Sequence, residues 1–241
     1  MESVFFITGS SRGIGKALAE AILAADEKNW VVGLSRTNSL EHERFVFVET
    51  DLSKEVSQVA VELFKQYQPK KKIVLVNNAG TLGQAAPMGK MDNAQLEQAF
   101  QVNISAAAVL MNEFIRAYAE GPAQPLILNI SSGAGKYPVD GWSAYCASKA
   151  ALDMLSEVAA LEAQKKGNSL KVYSLAPGVV DTAMQGEIRN TSKEDFSRVE
   201  DFRKMKEEGI LASPGQVANK ILILLQQPER FEGVQQDVRH F

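Results

Sequence analysis

Cysteine and histidine are nearly missing from this chain of 241 residues, which has one Cys and two His. Cys146, being alone, cannot close an internal disulfide, and such sparse usage fits a reducing compartment. His42 and His240 stand at opposite ends of the chain, and no cysteine pair exists. Zinc-ligand spacing is therefore absent, no metal is expected, and a Ser-His-Asp triad is not expected either. Positive charge is not in excess: 26 Lys and Arg face 29 Asp and Glu, for a net charge of −3. That balance argues against a nucleic-acid surface. Purely apolar runs such as Ile221 to Leu225 fall far short of a membrane span. Residues 1–8 begin at once as a strand, without a charged start and a long apolar stretch, so no signal peptide is expected. A cytoplasmic, single-domain α/β protein remains, long enough to bury roughly 70–75% of its unfolded surface without disulfide or metal. Catalysis, if present, must use groups other than His or Cys.

What the chain does have is alternation. Apolar, β-rich runs lie at Val4 to Ile7, Trp30 to Leu34, Phe45 to Val48, Ile73 to Val76, Leu126 to Ile130 and Leu170 to Leu175. They are continuous rather than alternating, as in parallel strands covered on both faces. Helix-compatible stretches separate them at 13–26, 53–67, 92–118, 143–165 and 214–226. This order predicts a doubly wound parallel sheet of the Rossmann type, with no internal repeat and no domain boundary within 1–241. Residues 182–212 differ, being dense in charge with apolar Phe196, Val199, Phe202 and Met205. Ser192-Lys193-Glu194-Asp195 has the pattern of a capping box, which predicts a helix over 192–208. That helix fits either a solvated surface element or a substrate lid. Ser213-Pro214-Gly215-Gln216 opens the next helix, with Pro at its first position.

Between the first strand and the first helix stands Thr8-Gly9-Ser10-Ser11-Arg12-Gly13-Ile14-Gly15. Glycine serves where backbone turns tightly, approaches a diphosphate and packs a helix on a strand. The following helix N-terminus offers free N–H groups to phosphate. The spacing is G-x-x-x-G-x-G rather than G-x-G-x-x-G. An ordinary strand–helix turn also fits it, but its place at the first βα junction favours a dinucleotide. The second strand ends Gly33-Leu34-Ser35-Arg36-Thr37, without the acid that would hold the ribose hydroxyls of NAD. Arg12 and Arg36, with the Ser35 and Thr37 hydroxyls, could hold a 2′-phosphate, so NADP(H) is expected over NAD(H). Simple exposure of both arginines is the alternative.

Tyr145 and Lys149, at i and i+4 on a predicted helix, share a face. Ser132 lies upstream, at the end of a predicted strand. A free tyrosine, with a pKa of about 10, is too weak an acid for work near neutrality. A nearby ammonium and an oxidised nicotinamide would both lower it. Tyr-x-x-x-Lys alone is common and fits a surface pair as well. The serine, the glycine loop and their order give it weight.

Over essentially its whole length the chain resembles the short-chain dehydrogenase/reductase family. The matching segments are Thr8-Gly9 with Gly13-Ile14-Gly15, Asp51-Leu52, Asn77-Asn78-Ala79-Gly80, Asn103, Ser132, Tyr145 with Lys149, and Pro177-Gly178-Val179-Val180-Asp181-Thr182. The resemblance implies that Tyr145 protonates a carbonyl oxygen while Ser132 hydrogen-bonds it. Lys149 would hold the nicotinamide ribose, and Asn103 would support a relay water near Lys149. It also implies a cofactor lined by Gly9, Ser11, Arg12, Gly13, Ile14 and Gly15, with Ser35 and Arg36. Asp51 and Leu52 would lie by the adenine, with Asn78, Ala79 and Gly80 along the cofactor. Pro177, Gly178, Val180 and Thr182 would meet the nicotinamide end.

More narrowly, Asn129 to Lys136, Gly141 to Met154, Ala176 to Gln185 and Lys206 to Ser213 are similar to sepiapterin reductases and, more closely, to (S)-benzoin-forming benzil reductases. That implies reduction of one carbonyl of a small α-dicarbonyl compound, with a pteridine substrate as the alternative. Asp237 falls near the aspartate that anchors a pterin in sepiapterin reductases; a solvated tail acid is its other reading. Trp142 and Tyr137 could wall an aromatic substrate; equally, Trp142 could only fix the Ser-Tyr loop. An oxoacyl-carrier-protein reductase fits less well, because of the Gly141-Trp142 pair and the charged 192–208 segment. A non-catalytic NADP(H) sensor on the same fold has no physical need for the set Asn103, Ser132, Tyr145, Lys149. A homo-oligomer, dimer or tetramer, is expected from the resemblance, with a small-molecule carbonyl substrate and neither nucleic acid nor membrane as partner.

Overall fold

Along the first strand, side chains divide by parity. Val4 and Phe6 enter one core, Phe5 and Ile7 the other. The same division runs through Ile73 and Leu75 against Val74 and Val76. A strand points successive side chains to opposite faces, so an unbroken apolar run needs both faces covered. The computed structural model describes residues 1–241 and shows this arrangement. Seven strands form one parallel sheet: β1 (Ser3–Thr8), β2 (Asn29–Ser35), β3 (Phe45–Glu49), β4 (Lys72–Asn77), β5 (Gln124–Ile130), β6 (Lys171–Ala176) and β7 (Gln235–Asp237). Their spatial order is β3-β2-β1-β4-β5-β6-β7, and every pairing is parallel.

Helices cover both faces. On one, α1 (Gly13–Ala25) packs against α8 (Pro214–Gln226). On the other lie α2 (Ser57–Gln66), α4 (Ala106–Tyr118) and α5 (Ser143–Lys166), with α3 (Asn93–Phe100) packed against α5. Beyond β6 come α6 (Ala183–Arg189) and α7 (Val199–Glu207). Strand order reverses between β1 and β4, and ligands of open α/β sheets bind beyond the carboxyl ends of the strands at such a point. No helix is long and apolar enough to cross a membrane.

Four local expectations are corrected. The helix expected from 53 begins only at Ser57. Asp51 Oδ1 accepts from the Ser53 amide at 3.0 Å and its hydroxyl at 2.7 Å, a local turn that competes with helix. The helix expected over 92–118 is interrupted by a π-helical turn at Gln101–Ser105, which carries Asn103. At Ser192 the side chain does meet the Asp195 amide, at 3.1 Å, but its hydroxyl takes up the Asp195 carboxylate at 2.8 Å. The result is a single turn, and helix begins at Val199. Finally, β7 was not foreseen. Its Gln235-Gln236-Asp237 sequence is polar because it forms a short edge strand, paired only with β6. The capping box at Ser213 and Gln216 forms as expected.

Candidate active site

Four loops meet beyond the carboxyl edge of β1, β4, β5 and β6. The first is the glycine loop. Gly9 and Gly13 have φ of +68° and +56°, a region that favours glycine. A Cβ on Gly15 would stand 2.3 Å from the Gly9 carbonyl oxygen and 2.4 Å from Asn78 Nδ2, so a side chain cannot fit there. No side chain caps the start of α1, which leaves its first N–H groups free for an anion. A Cβ on Gly13 would lie 3.4 Å from Thr182 Cγ2, which brings the loop after β6 up to this one.

Asn78 lies between β1 and β4 and acts as a brace. Its amide donates to the Thr8 and Gly9 carbonyls at 2.9 and 3.3 Å, and the Thr8 hydroxyl accepts from the Asn78 and Ala79 amides at 3.0 Å. The Ser35 hydroxyl likewise turns inward, to the Thr37 carbonyl at 2.9 Å and Ser10 at 3.3 Å. Arg12 and Arg36 are exposed, and neither side chain makes an ion pair or hydrogen bond. Their charges are free for an anion. Asp51 lies within reach of Arg36 and is held below its ordinary range, mainly by Ser53. Leu52 is buried in the core beside it.

The reactive groups assemble around α5. Tyr145 sits in its first turn and Lys149 one turn later, with Lys149 Nζ 5.6 Å from the phenol ring centre. Both are buried. The Lys149 ammonium donates to the Ile130 carbonyl at 2.7 Å. A Cβ on Gly80 would stand 3.6 Å from that ammonium and 3.4 Å from Asn103 Oδ1, so glycine keeps a small cradle open between them. The Asn103 amide bonds the Thr81 backbone in both directions, at 2.8 and 2.9 Å, and the Ser148 hydroxyl at 3.0 Å. Ser132 follows β5 and lies against the phenol. Burial raises the Tyr145 pKa, while the Ser132 hydroxyl pulls it the other way. The lowering expected from an oxidised nicotinamide is a property of the cofactor-bound site; without that charge, desolvation dominates. Burial lowers Lys149 to about 8. Burial also raises the Cys146 thiol, which leaves it a poor nucleophile.

Above these groups lies a third apolar cluster. Tyr145, Trp142, Leu82 and Ala134 pack with Ile188, Phe196 and Val199 from the 182–212 segment. Trp142 meets the Tyr145 ring edge-on at 5.8 Å and lies 4.9 Å from Phe196. Phe196 and Val199 are fully buried, so the segment packs on this cluster through its apolar side while most of its charged residues stay exposed. The segment is pinned to the loop before α5, where Asp140 accepts from the Ser197 amide at 2.8 Å. Gly141, with φ of +74°, allows the closest approach to the Asp195 backbone. At its base Val180 pairs with Ala212, and Lys206 reaches Asp181 at 2.6 Å. The sequence showed Phe196 as apolar but gave no sign of its partner, which is distant in the chain.

Asp237 stands beside Ala176 at the same edge of the sheet. Its two oxygens accept from Arg239, at 2.5 to 3.1 Å, and this pairing lowers its pKa to about 2. A cavity of about 640 Å³ adjoins Gly178 and Arg239, but none of the four reactive side chains lines it.

The glycine cradle, the free helix end, the unpaired arginines and the opening at Gly80 fit a dinucleotide phosphate at one end and its nicotinamide ribose at the other. Comparison with known proteins agrees. The short chain dehydrogenase family model matches residues 3–193. The chain is 36% identical to a benzil reductase ((S)-benzoin forming) of Bacillus cereus, over 94% of this chain and 95% of that protein. It is 33% identical to the sepiapterin reductase of Rattus norvegicus, over 93% of this chain and 91% of that one. Among solved structures, KRED1-Pglu enzyme superposes with a TM-score of 0.83 at 26% identity, covering 97% of this chain and 99% of that one.

Proposed function

The chain belongs to the short-chain dehydrogenase/reductase family of oxidoreductases, and we propose that within it the chain is an NADPH-dependent carbonyl reductase of small α-dicarbonyl compounds. The observation that carries this is the buried, protonated phenol of Tyr145 beside Ser132 and Lys149, under an apolar cover. A bound dihydronicotinamide supplies the hydride. The free N–H groups of the glycine loop hold the diphosphate, and Arg12 and Arg36 the 2′-phosphate. Lys149 holds the ribose, and Val180 and Thr182 orient the carboxamide. Ser132 donates to the substrate carbonyl oxygen, drawing charge toward it. Tyr145 releases its proton to that oxygen as negative charge develops. Desolvation favours this direction, since it keeps the phenol protonated until the oxygen demands the proton. Asn103 braces the loop at Gly80 and Thr81. Residues 182–212 close over the substrate as a lid, with Trp142 fixing Tyr145 and the lid together.

The similarity to benzil reductases and the apolar lid support an aromatic or aliphatic vicinal diketone. A pteridine is the second reading; it would need Asp237 to exchange its partner, the exposed Arg239, for the pterin. For the homo-oligomer, α5 offers the exposed apolar residues Met154, Val158 and Leu161, one helix face left without a partner.

The cofactor assignment is tested by kcat/KM with benzil and either NADPH or NADH. The unpaired arginines predict at least a tenfold preference for NADPH, about 1.4 kcal/mol. A preference for NADH overturns the argument from charge.

A further inference from the structure

Asp153 is a buried carboxylate for which the reaction as described has no use. It lies on α5 one turn beyond Lys149 and is 7% exposed. Its one hydrogen-bond donor is the Ser174 hydroxyl of β6, at 2.5 Å. Its other oxygen lies against Gly135, where a Cβ would stand 2.8 Å from it and 3.0 Å from the Lys149 carbonyl carbon. Glycine at 135 thus lets the loop after β5 close over Asp153 and the Lys149 backbone together.

A single hydroxyl is poor compensation for taking a carboxylate out of water. If the side chain only tied α5 to β6, asparagine would bond Ser174 equally well without that cost. The charge itself therefore needs a beneficiary. Lys149 is a buried cation one turn away on the same helix face, with no ion pair of its own. Around it, β5 contributes only the Ile130 carbonyl, the loop after β4 only Gly80, and the π-helical turn only the neutral Asn103. The titratable groups facing it are Tyr145 and Asp153, both on α5. Asp153 is the sole carboxylate.

We propose that Asp153 is a positioning residue whose carboxylate is the buried counter-charge that keeps Lys149 an ammonium. It acts through space, since the ammonium itself is bonded to the Ile130 carbonyl. The inference rests on the reading of Lys149 as the charge beside Tyr145 and the cofactor ribose. Burial depresses the Lys149 pKa to about 8, and Asp153 is the influence that opposes it. A lysine is charged below its pKa and neutral above it. Without Asp153 the side chain would lose its proton within the neutral range.

The test is NMR titration of the cofactor-free protein with lysine labelled at Cε, the Lys149 signal being the one that Lys149→Arg removes. The native protein should titrate near 8. Asp153→Asn should move the midpoint down by about one unit or more. Asp153→Glu should restore it, and Ser174→Ala, which keeps the charge, should move it far less. An unchanged midpoint in a folded Asp153→Asn protein, judged by its thermal transition, overturns the proposal and leaves Asp153 a tether. Should the asparagine protein not accumulate, Asp153→Ser is read in the same way. Because the titration needs neither substrate nor cofactor, absence of carbonyl turnover would defeat the functional reading without touching this one.

Discussion

Tyr145→Phe should abolish nearly all turnover while leaving NADPH binding intact. The loss expected for removing a positioned general acid is about 10² to 10⁴-fold in kcat. The structure makes the comparison clean. The Tyr145 ring packs edge-on against Trp142 at 5.8 Å, and phenylalanine keeps that contact. The glycine loop, Arg12 and Arg36 stand on other elements and are untouched. Dihydronicotinamide fluorescence reads the binding, and absorbance reads the turnover. Near-normal kcat would assign the proton to another group.

Phe196→Ala should raise the substrate KM about tenfold or more, with NADPH affinity unchanged. Phe196 is fully buried between Trp142 at 4.9 Å and Phe202 at 5.4 Å. Emptying such a site costs about 3–5 kcal/mol where the surroundings cannot collapse. The cost falls on the 182–212 segment, because the main cores lie on the two faces of the sheet and do not include this ring. The segment keeps its anchors at Val180–Ala212 and Asp181–Lys206, so it should loosen rather than unfold the protein. An unchanged KM would mean that the segment has no part in holding substrate.

Central strands were legible because a parallel strand buried on both faces must be apolar throughout, as Val4 to Ile7 and Ile73 to Val76 are. The edge strand Gln235–Asp237 was not, since it carries no such constraint. Of the candidate site, the glycine loop and the Tyr145–Lys149 pair were legible because local spacing defines them. Long-range partners left no local mark. Ser148 behind Asn103, Phe196 on Trp142 and Ser174 on Asp153 join residues that only the fold brings together. The lowered Tyr145 pKa is an expectation for the site with an oxidised nicotinamide in place; a sequence does not show that the phenol is sealed from water, where without that charge desolvation dominates. The polar groups of Ser35 and Asn78, both expected to line the cofactor, also hold the surrounding backbone, a role that local spacing does not reveal.

The central claim is that this site reduces one carbonyl of a vicinal pair with NADPH. Its most direct test is NADPH oxidation, followed by absorbance, against benzil, small aliphatic diketones, sepiapterin and acetoacetyl thioesters. The account predicts the highest kcat/KM for the vicinal diketones. Activity confined to the acetoacetyl thioesters would contradict it.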